Sequence, residues 1–450
     1  MKKNVVIIGA GLVGSLLAIY LIKRGFNVSI FERRPDLRKN RISAGKSINL
    51  ALSDRGWRGL KAVGIDEEVR KVAIPMKGRY LHPVTGSLGF QPYGKDNQAI
   101  YSVSRGGLNC LLMDLTEKFG AQIFFHERCT HVDLKADKAL FQNEISGTSR
   151  EVNADIFFGA DGAFSAARLS MQLSNDRFQY QQFYLEHGYK ELTIPPAKDG
   201  NFAMAHDGLH IWPRGKFMLI ALPNLDKSFT CTLFFPFEGK DSFAGLDTPE
   251  KMKNFFKTTF PDACDLMPEL ESDYFNNPTS SLVTVKCSPW VFEDKLALIG
   301  DAAHAIVPFF GQGMNCGFED CFVLDSLFDK FGNDIPEIFR TYETLRKPDA
   351  DAIAELAIGN FIEMRDKTAD ARFLLQKKIE ARFSERHPEL WIPLYSMVTF
   401  QPDIRYSDAL KRGKIQEGIM QEVMQIPDIE KKWDSDIVEK KMLEILSGLR

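Results

Sequence analysis

The chain has 450 residues, 44% of them apolar, and its 57 basic and 60 acidic side chains leave a net charge of −3. That length exceeds what one compact core organises and implies two closely packed lobes. The near-balance of charge excludes a surface built to hold nucleic acid or anionic lipid.

The uncharged run from Val5 to Ile22 is the stretch that hydropathy alone reads as a membrane span. Gly9, Gly11 and Gly14 break it where a strand must turn sharply into a helix, so it reads as a strand from Lys3 to Ile8 and a helix from Leu12 to Arg24. A second strand, Asn27 to Phe31, ends at Glu32 and completes a βαβ unit. From about Met76 to Ser104, and again from about Phe178 to Lys286, short β-branched and aromatic runs predict antiparallel strands of a second sheet. The segment from Arg105 to Leu173 returns to helix and strand, and Lys295 to Ile299 is a buried strand feeding a helix near Gly313. Beyond about Pro336 the chain takes helical spacing with Lys, Glu and Arg on the polar positions. From Pro427 to Arg450 no apolar run approaches the roughly 20 residues a span requires.

The predicted class is therefore α/β. A Rossmann-type dinucleotide domain (1–75, 105–175 and 287–335) is interleaved with an antiparallel-sheet substrate domain (76–104 and 176–286), and a helical C-terminal region (336–450) follows. Seven cysteines, Cys110, Cys129, Cys231, Cys264, Cys287, Cys316 and Cys321, are scattered without a Cys-x-x-Cys pair or zinc spacing. That usage suits reduced thiols in the cytoplasm and offers no metal site.

Gly9-Ala10-Gly11-Leu12-Val13-Gly14 is a G-x-G-x-x-G fingerprint between a strand and a helix, with Glu32 placed to accept ribose hydroxyls. The glycines let backbone approach a pyrophosphate, which the positive helix end stabilises. NAD and FAD use the same physics here, and two later motifs separate them. Phe158-Gly159-Ala160-Asp161-Gly162 and Ile299-Gly300-Asp301-Ala302-Ala303-His304 each put an Asp at a strand end, where a carboxylate can hold the ribityl hydroxyl that only a flavin carries. Gly311-Gln312-Gly313-Met314-Asn315 then opens a helix whose first amides suit the flavin pyrimidine edge. FAD is the cofactor expected. His304, beside the motif Asp, reads as structural rather than catalytic.

The three motifs in this order resemble the group A flavin monooxygenases of the hydroxybenzoate-hydroxylase fold. Within that class the strings Lys46 to Ser53, Pro75 to Arg79, Gln91 to Gly94, Tyr101 to Arg105, Val307 to Asn315 and Gly359 to Arg365 resemble the kynurenine 3-monooxygenase family. Eukaryotic members carry a C-terminal membrane anchor that is not recognisable here, so the resemblance is to a soluble, bacterial-type member. It implies hydroxylation of L-kynurenine to 3-hydroxykynurenine in tryptophan catabolism, with NADPH and molecular oxygen as co-substrates and a flavin C4a-hydroperoxide as oxidant. NADPH is expected to bind transiently, since a second Rossmann fingerprint is absent from the sequence.

The resemblance assigns Arg79 as a bidentate fork for the substrate carboxylate, with Tyr93, Asn360 and Tyr395 donating to the same amino-acid head. It assigns Ile220, Leu222, Phe234, Pro308, Phe309 and Met364 to the aryl pocket. The cofactor contacts it implies are Gly9, Gly11, Val13, Gly14, Glu32, Arg33, Ala51, Arg105, Asp161, Asp301, Gly313, Met314 and Asn315. No residue stands out as a catalytic acid or base, the chemistry being the flavin's. Oligomeric state stays open, a homodimer included. A disulfide reductase would need a redox cysteine pair near the first helix, and a flavin halogenase a Trp-x-Trp motif; neither is present. A salicylate or hydroxybenzoate hydroxylase, and a non-catalytic FAD redox module, remain as alternatives.

Overall fold

The computed structural model describes residues 2–39, 49–94, 98–363 and 370–448. A six-stranded sheet runs Val291–Phe292, Leu296–Leu298, Ile156–Gly159, Asn4–Ile8, Asn27–Glu32, Gln122–Phe125, and all its pairings are parallel except that of the short edge strand Val291–Phe292. The apolar run that begins at Val5 is divided between the strand Asn4–Ile8 and the helix Leu12–Lys23, whose residues from Gly14 to Leu21 are all buried. Packed against the helices Arg105–Phe119 and Gly313–Phe331, it is apolar on every side because it lies inside the lobe. Among the described residues no helix is long and apolar enough to cross a membrane.

The second sheet has seven strands in the order Ser280–Ser288, Gln179–Ile194, Phe229–Pro236, Met218–Pro223, Gly208–Pro213, Gly78–Leu81, Gly89–Pro92. Three features depart from the sequence expectation. Gly78–Leu81 pairs with Gly208–Pro213 in parallel, which the long intervening chain permits because only a hairpin forces antiparallel pairing. Ile100–Ser104 leaves this sheet and pairs with Asn49–Leu52 and Ala73–Met76 in a separate three-stranded sheet. Strand-forming composition reports a pleated surface and does not choose the partner.

The third departure is helical. Pro249–Thr259, Pro261–Cys264 and Leu270–Asn276 interrupt the predicted strand region. The first is started by Pro249 and capped by Thr248, whose hydroxyl accepts the Lys251 amide, and it turns Met252 and Phe256 onto the outer face of the sheet. From Ile335 onward the chain is helical as expected, in Ile335–Ile362, Ala371–Arg386, Leu394–Thr399, Tyr406–Val423, Ile429–Lys432 and Asp436–Gly448. Leu394–Thr399 reaches back to the inner face of the second sheet, where Tyr395 packs with Leu222 and Ile220.

Candidate active site

The first glycine turn is shaped by close approaches of backbone. Gly9 has φ +104°, and a side chain there would come within 2.5 Å of the Ala160 carbonyl oxygen. A methyl on Gly14 would stand 2.1 Å from the Gly9 oxygen, so the first helix sits directly on the turn. Gly11 has no atom within 4 Å of the space a side chain would take, leaving an open cradle at the positive end of the helix. Val13 wedges against Gly300 and Gly317, where added side chains would come 3.0 and 2.5 Å from it, and so joins the first turn to the third motif.

Glu32 is buried at the end of the second strand. It accepts the Ala10 amide (2.9 Å), the Arg34 amide (2.9 Å) and Arg34 Nε (2.8 Å). Burial works against its charge, but Arg34 and the two amides outweigh it, and its pKa lies below the ordinary carboxylate value. Arg33 is exposed beside it; the neighbour Arg34, which the sequence reading did not name, is the residue that holds Glu32. An open glycine cradle beside an ionised carboxylate fits the pyrophosphate and ribose of FAD. Gly14→Ala is therefore expected to displace the helix at a cost of roughly 1–3 kcal/mol, about 5- to 150-fold in affinity, and to yield protein depleted of flavin by absorbance. Full flavin occupancy would contradict this.

The two motif aspartates differ. Asp161 is spent locally: it accepts from Ser165 Oγ (2.5 Å) and from the amides of Ala166 (2.7 Å) and Ala167 (3.2 Å), capping the helix Ala166–Ser174. Asp301 is exposed at the start of Asp301–His304, following Gly300 at φ 60°. Arg105 is likewise exposed, at the start of Arg105–Phe119. Gly313 opens the helix Gly313–Phe331, with Met314 buried behind it. Asn315 ties this helix to the strand Asn49–Leu52. Its Nδ2 donates to the carbonyls of Ala51 (2.8 Å) and Gly311 (2.7 Å), and its Oδ1 accepts the Ser53 amide (2.9 Å). Asn109, another residue not foreseen, donates to the Ala10 carbonyl (3.2 Å).

On the far side of Ala51 lies a second group. Ala51 packs in one cluster with Tyr93, Leu222, Ile220, Tyr395 and Phe400. Tyr93 and Tyr395 stack with centroids 5.4 Å apart and 13° between planes. The Arg79 guanidinium lies 4.5 Å from the Tyr395 ring centre and 5.2 Å from that of Tyr93. Arg79 Nε and the Tyr93 hydroxyl are buried without hydrogen-bond partners. Burial pushes the Tyr93 phenol upward in pKa, so it stays protonated as a donor.

Ile220 and Tyr395 also belong to the adjoining cluster of Phe234, Phe309, Phe310 and Phe361. Phe234 meets Phe309 at 4.9 Å, and Phe309 stacks on Phe361 at 4.2 Å. Asn360 Nδ2 donates to the Phe309 carbonyl (2.6 Å), fixing the turn Pro308–Phe310 against the long helix. The structure thus gathers Arg79, Tyr93, Tyr395, Ile220, Leu222, Phe234, Phe309 and Asn360 around adjoining apolar walls, with Pro308 at the turn; Met364 lies outside the described residues. Phe310, which stacks on Tyr395 (5.6 Å), and Phe400, which tilts against Tyr93 (6.3 Å), complete those walls and were not foreseen. Phe310 stood within the string from Val307 to Asn315, but Phe400 has no local sequence signal.

Residues 2–357 match the family described as FAD binding domain. The chain is 52% identical over 445 residues to the kynurenine 3-monooxygenase of Christiangramia forsetii, covering 99% of each chain. It is 53% identical over 444 residues to that of Flavobacterium johnsoniae, covering 98% of each. Among solved structures, the tetrameric form of 2-methyl-3-hydroxypyridine-5-carboxylic acid oxygenase is similar in fold, with a TM-score of 0.66 at 19% identity over 83% of this chain and 95% of that one.

Proposed function

This chain belongs to the kynurenine 3-monooxygenase family, and we propose that it binds FAD and uses NADPH and molecular oxygen to hydroxylate L-kynurenine to 3-hydroxykynurenine. The observation that carries the substrate assignment is the pair of buried donors, Arg79 Nε and the Tyr93 hydroxyl, without partners. Each such group costs about 1–3 kcal/mol when left unmade. An amino-acid carboxylate entering beside them satisfies both at once, with the guanidinium as its fixed fork.

In this reading FAD occupies the 1–75, 105–175 and 287–335 unit, the substrate lies between it and the sheet of 76–104 and 176–286, and 336–450 closes the site. The redox chemistry, hydride uptake from NADPH and oxygen activation, would be supplied by FAD when bound. The protein's part is placement. Arg79, Tyr93 and Tyr395 hold the amino-acid head, while Leu222, Ile220, Phe234 and Phe309 flank the aryl ring and exclude water from it. Asn360 acts by holding the Phe309 carbonyl. All seven cysteines are free, in keeping with a cytoplasmic setting.

The test is NADPH oxidation by the flavin-loaded protein with L-kynurenine, with its analogue lacking the carboxylate, and with salicylate. Stimulation by L-kynurenine alone is the expected outcome. Stronger stimulation by salicylate would transfer the assignment to another aromatic hydroxylase.

A further inference from the structure

The most heavily charged part of the interior has no role in the function so far described. Arg55, completely buried in the helix Asp54–Ala62, donates from Nε to the Val398 carbonyl (2.7 Å) and from one terminal nitrogen to Glu319 Oε1 (2.8 Å). Its other terminal nitrogen donates to the carbonyls of Met397 (3.2 Å), Gln401 (3.3 Å) and Ile404. The guanidinium also lies 4.0 Å from the centre of the Tyr406 ring.

Glu319 passes the connection on. Its Oε1 also accepts from Arg58 (2.6 Å), and its Oε2 accepts from Arg346 (2.8 Å). Arg346 Nε donates to Asp320 Oδ1 (2.8 Å), and Asp320 Oδ2 accepts from His304 Nε2 (2.5 Å) and the Gly300 amide (3.2 Å). Burial opposes a charge on His304, but Asp320 outweighs it and raises the imidazole pKa well above its ordinary value.

His304, Cys316 and Asp320 are close enough together to suggest a metal site. Arg346, 3.4 Å from Cys316 Sγ and bonded to Asp320, already fills that place with a cation. The chain of charges has another use, visible at its two ends. Met397 and Val398 belong to the helix Leu394–Thr399, which carries Tyr395. Gly300 immediately precedes Asp301 at the cofactor turn. Buried ion pairs are often replaceable by an apolar core of the same volume without loss of stability, and what they add that packing does not is directed geometry.

We propose that Arg55 is a positioning residue which, through Glu319, Arg346 and Asp320, locks the Tyr395 side of the substrate clamp to the Gly300 turn of the FAD site. Filling the clamp then sets the cofactor turn in its working geometry, by a contiguous buried network rather than by contact with the substrate. The inference rests on the function proposed above.

The experiment compares wild type with Arg55→Lys, which keeps the charge but loses the rigid multi-donor fork. A second variant, Glu319→Gln, preserves shape. Flavin content and NADPH oxidation without substrate are expected to be unchanged. The dissociation constant for L-kynurenine by calorimetry should rise about tenfold. At saturating L-kynurenine the substrate-induced change in the flavin spectrum should shrink, and peroxide per NADPH should increase. Wild-type responses in both variants would overturn the proposal. So would loss of flavin and of substrate response in equal proportion, which marks a plain structural brace; if Arg55→Lys does not fold, Glu319→Gln decides alone. A wild type that ignores L-kynurenine overturns the functional reading, and this proposal with it.

Discussion

Arg79→Ala is expected to raise the KM for L-kynurenine by roughly 30- to 5,000-fold, equivalent to the 2–5 kcal/mol lost when one partner of a buried, hydrogen-bonded charge pair is removed. The loss falls on binding because Arg79 stands among Tyr93, Tyr395 and the aryl walls, away from the glycine turn. Arg79→Lys should recover only part of it, since an ammonium offers a point charge where a carboxylate wants two parallel donors. The same alanine substitution removes a buried, unpartnered Nε together with the guanidinium contacts to the Tyr93 and Tyr395 rings, gains and losses that oppose each other, so the ligand-free protein should melt close to the wild-type temperature. A large loss of affinity with little change in stability marks a site built for a ligand. Steady-state kinetics with thermal melts measures both, and a KM within about threefold of wild type would remove Arg79 from the clamp.

Arg346→Met should have the largest effect on stability. Arg346 is buried and bonds to Glu319, Asp320 and Asp349 at 2.8, 2.8 and 3.3 Å. Its removal takes one cationic partner from each of three buried carboxylates, of which Asp320 keeps His304, Glu319 keeps Arg55 and Arg58, and Asp349 keeps Arg405 and the Ser407 amide. Breaking a buried pair by deleting one partner costs about 3–5 kcal/mol. For a chain of this length that corresponds to a fall in melting temperature of about 3–5 °C if the chain unfolds as one unit. An unchanged melting temperature for Arg346→Met would show that the network carries no net stability.

What could be read from the sequence was whatever is encoded by short spacing. Gly9, Gly11, Gly14 and Glu32 are legible because one βαβ unit makes them neighbours, and the apolar run beginning at Val5 resolves into strand and helix for the same reason. Asp161 illustrates the limit of a motif. An Asp before Ser165, Ala166 and Ala167 also satisfies a helix start, and in the structure those groups occupy its carboxylate. Which strands share a sheet was not legible either, because Ile100–Ser104 has strand composition in either sheet and pairing depends on what lies opposite. Arg55 is the strongest case. On a helix such as DRGWRGLKA it resembles a solvated cation, and its acceptors near residue 400 become visible only once the C-terminal helices fold back. Phe400 likewise joins Tyr93 through tertiary packing alone.

The most direct measurement takes the purified flavoprotein with NADPH, oxygen and L-kynurenine, and quantifies 3-hydroxykynurenine, hydrogen peroxide and NADPH in the same sample. Product formed in proportion to NADPH consumed, with little peroxide, is the result expected of a clamp that holds the ring in position. Peroxide without hydroxylated product, or no acceleration by L-kynurenine, would contradict the assignment.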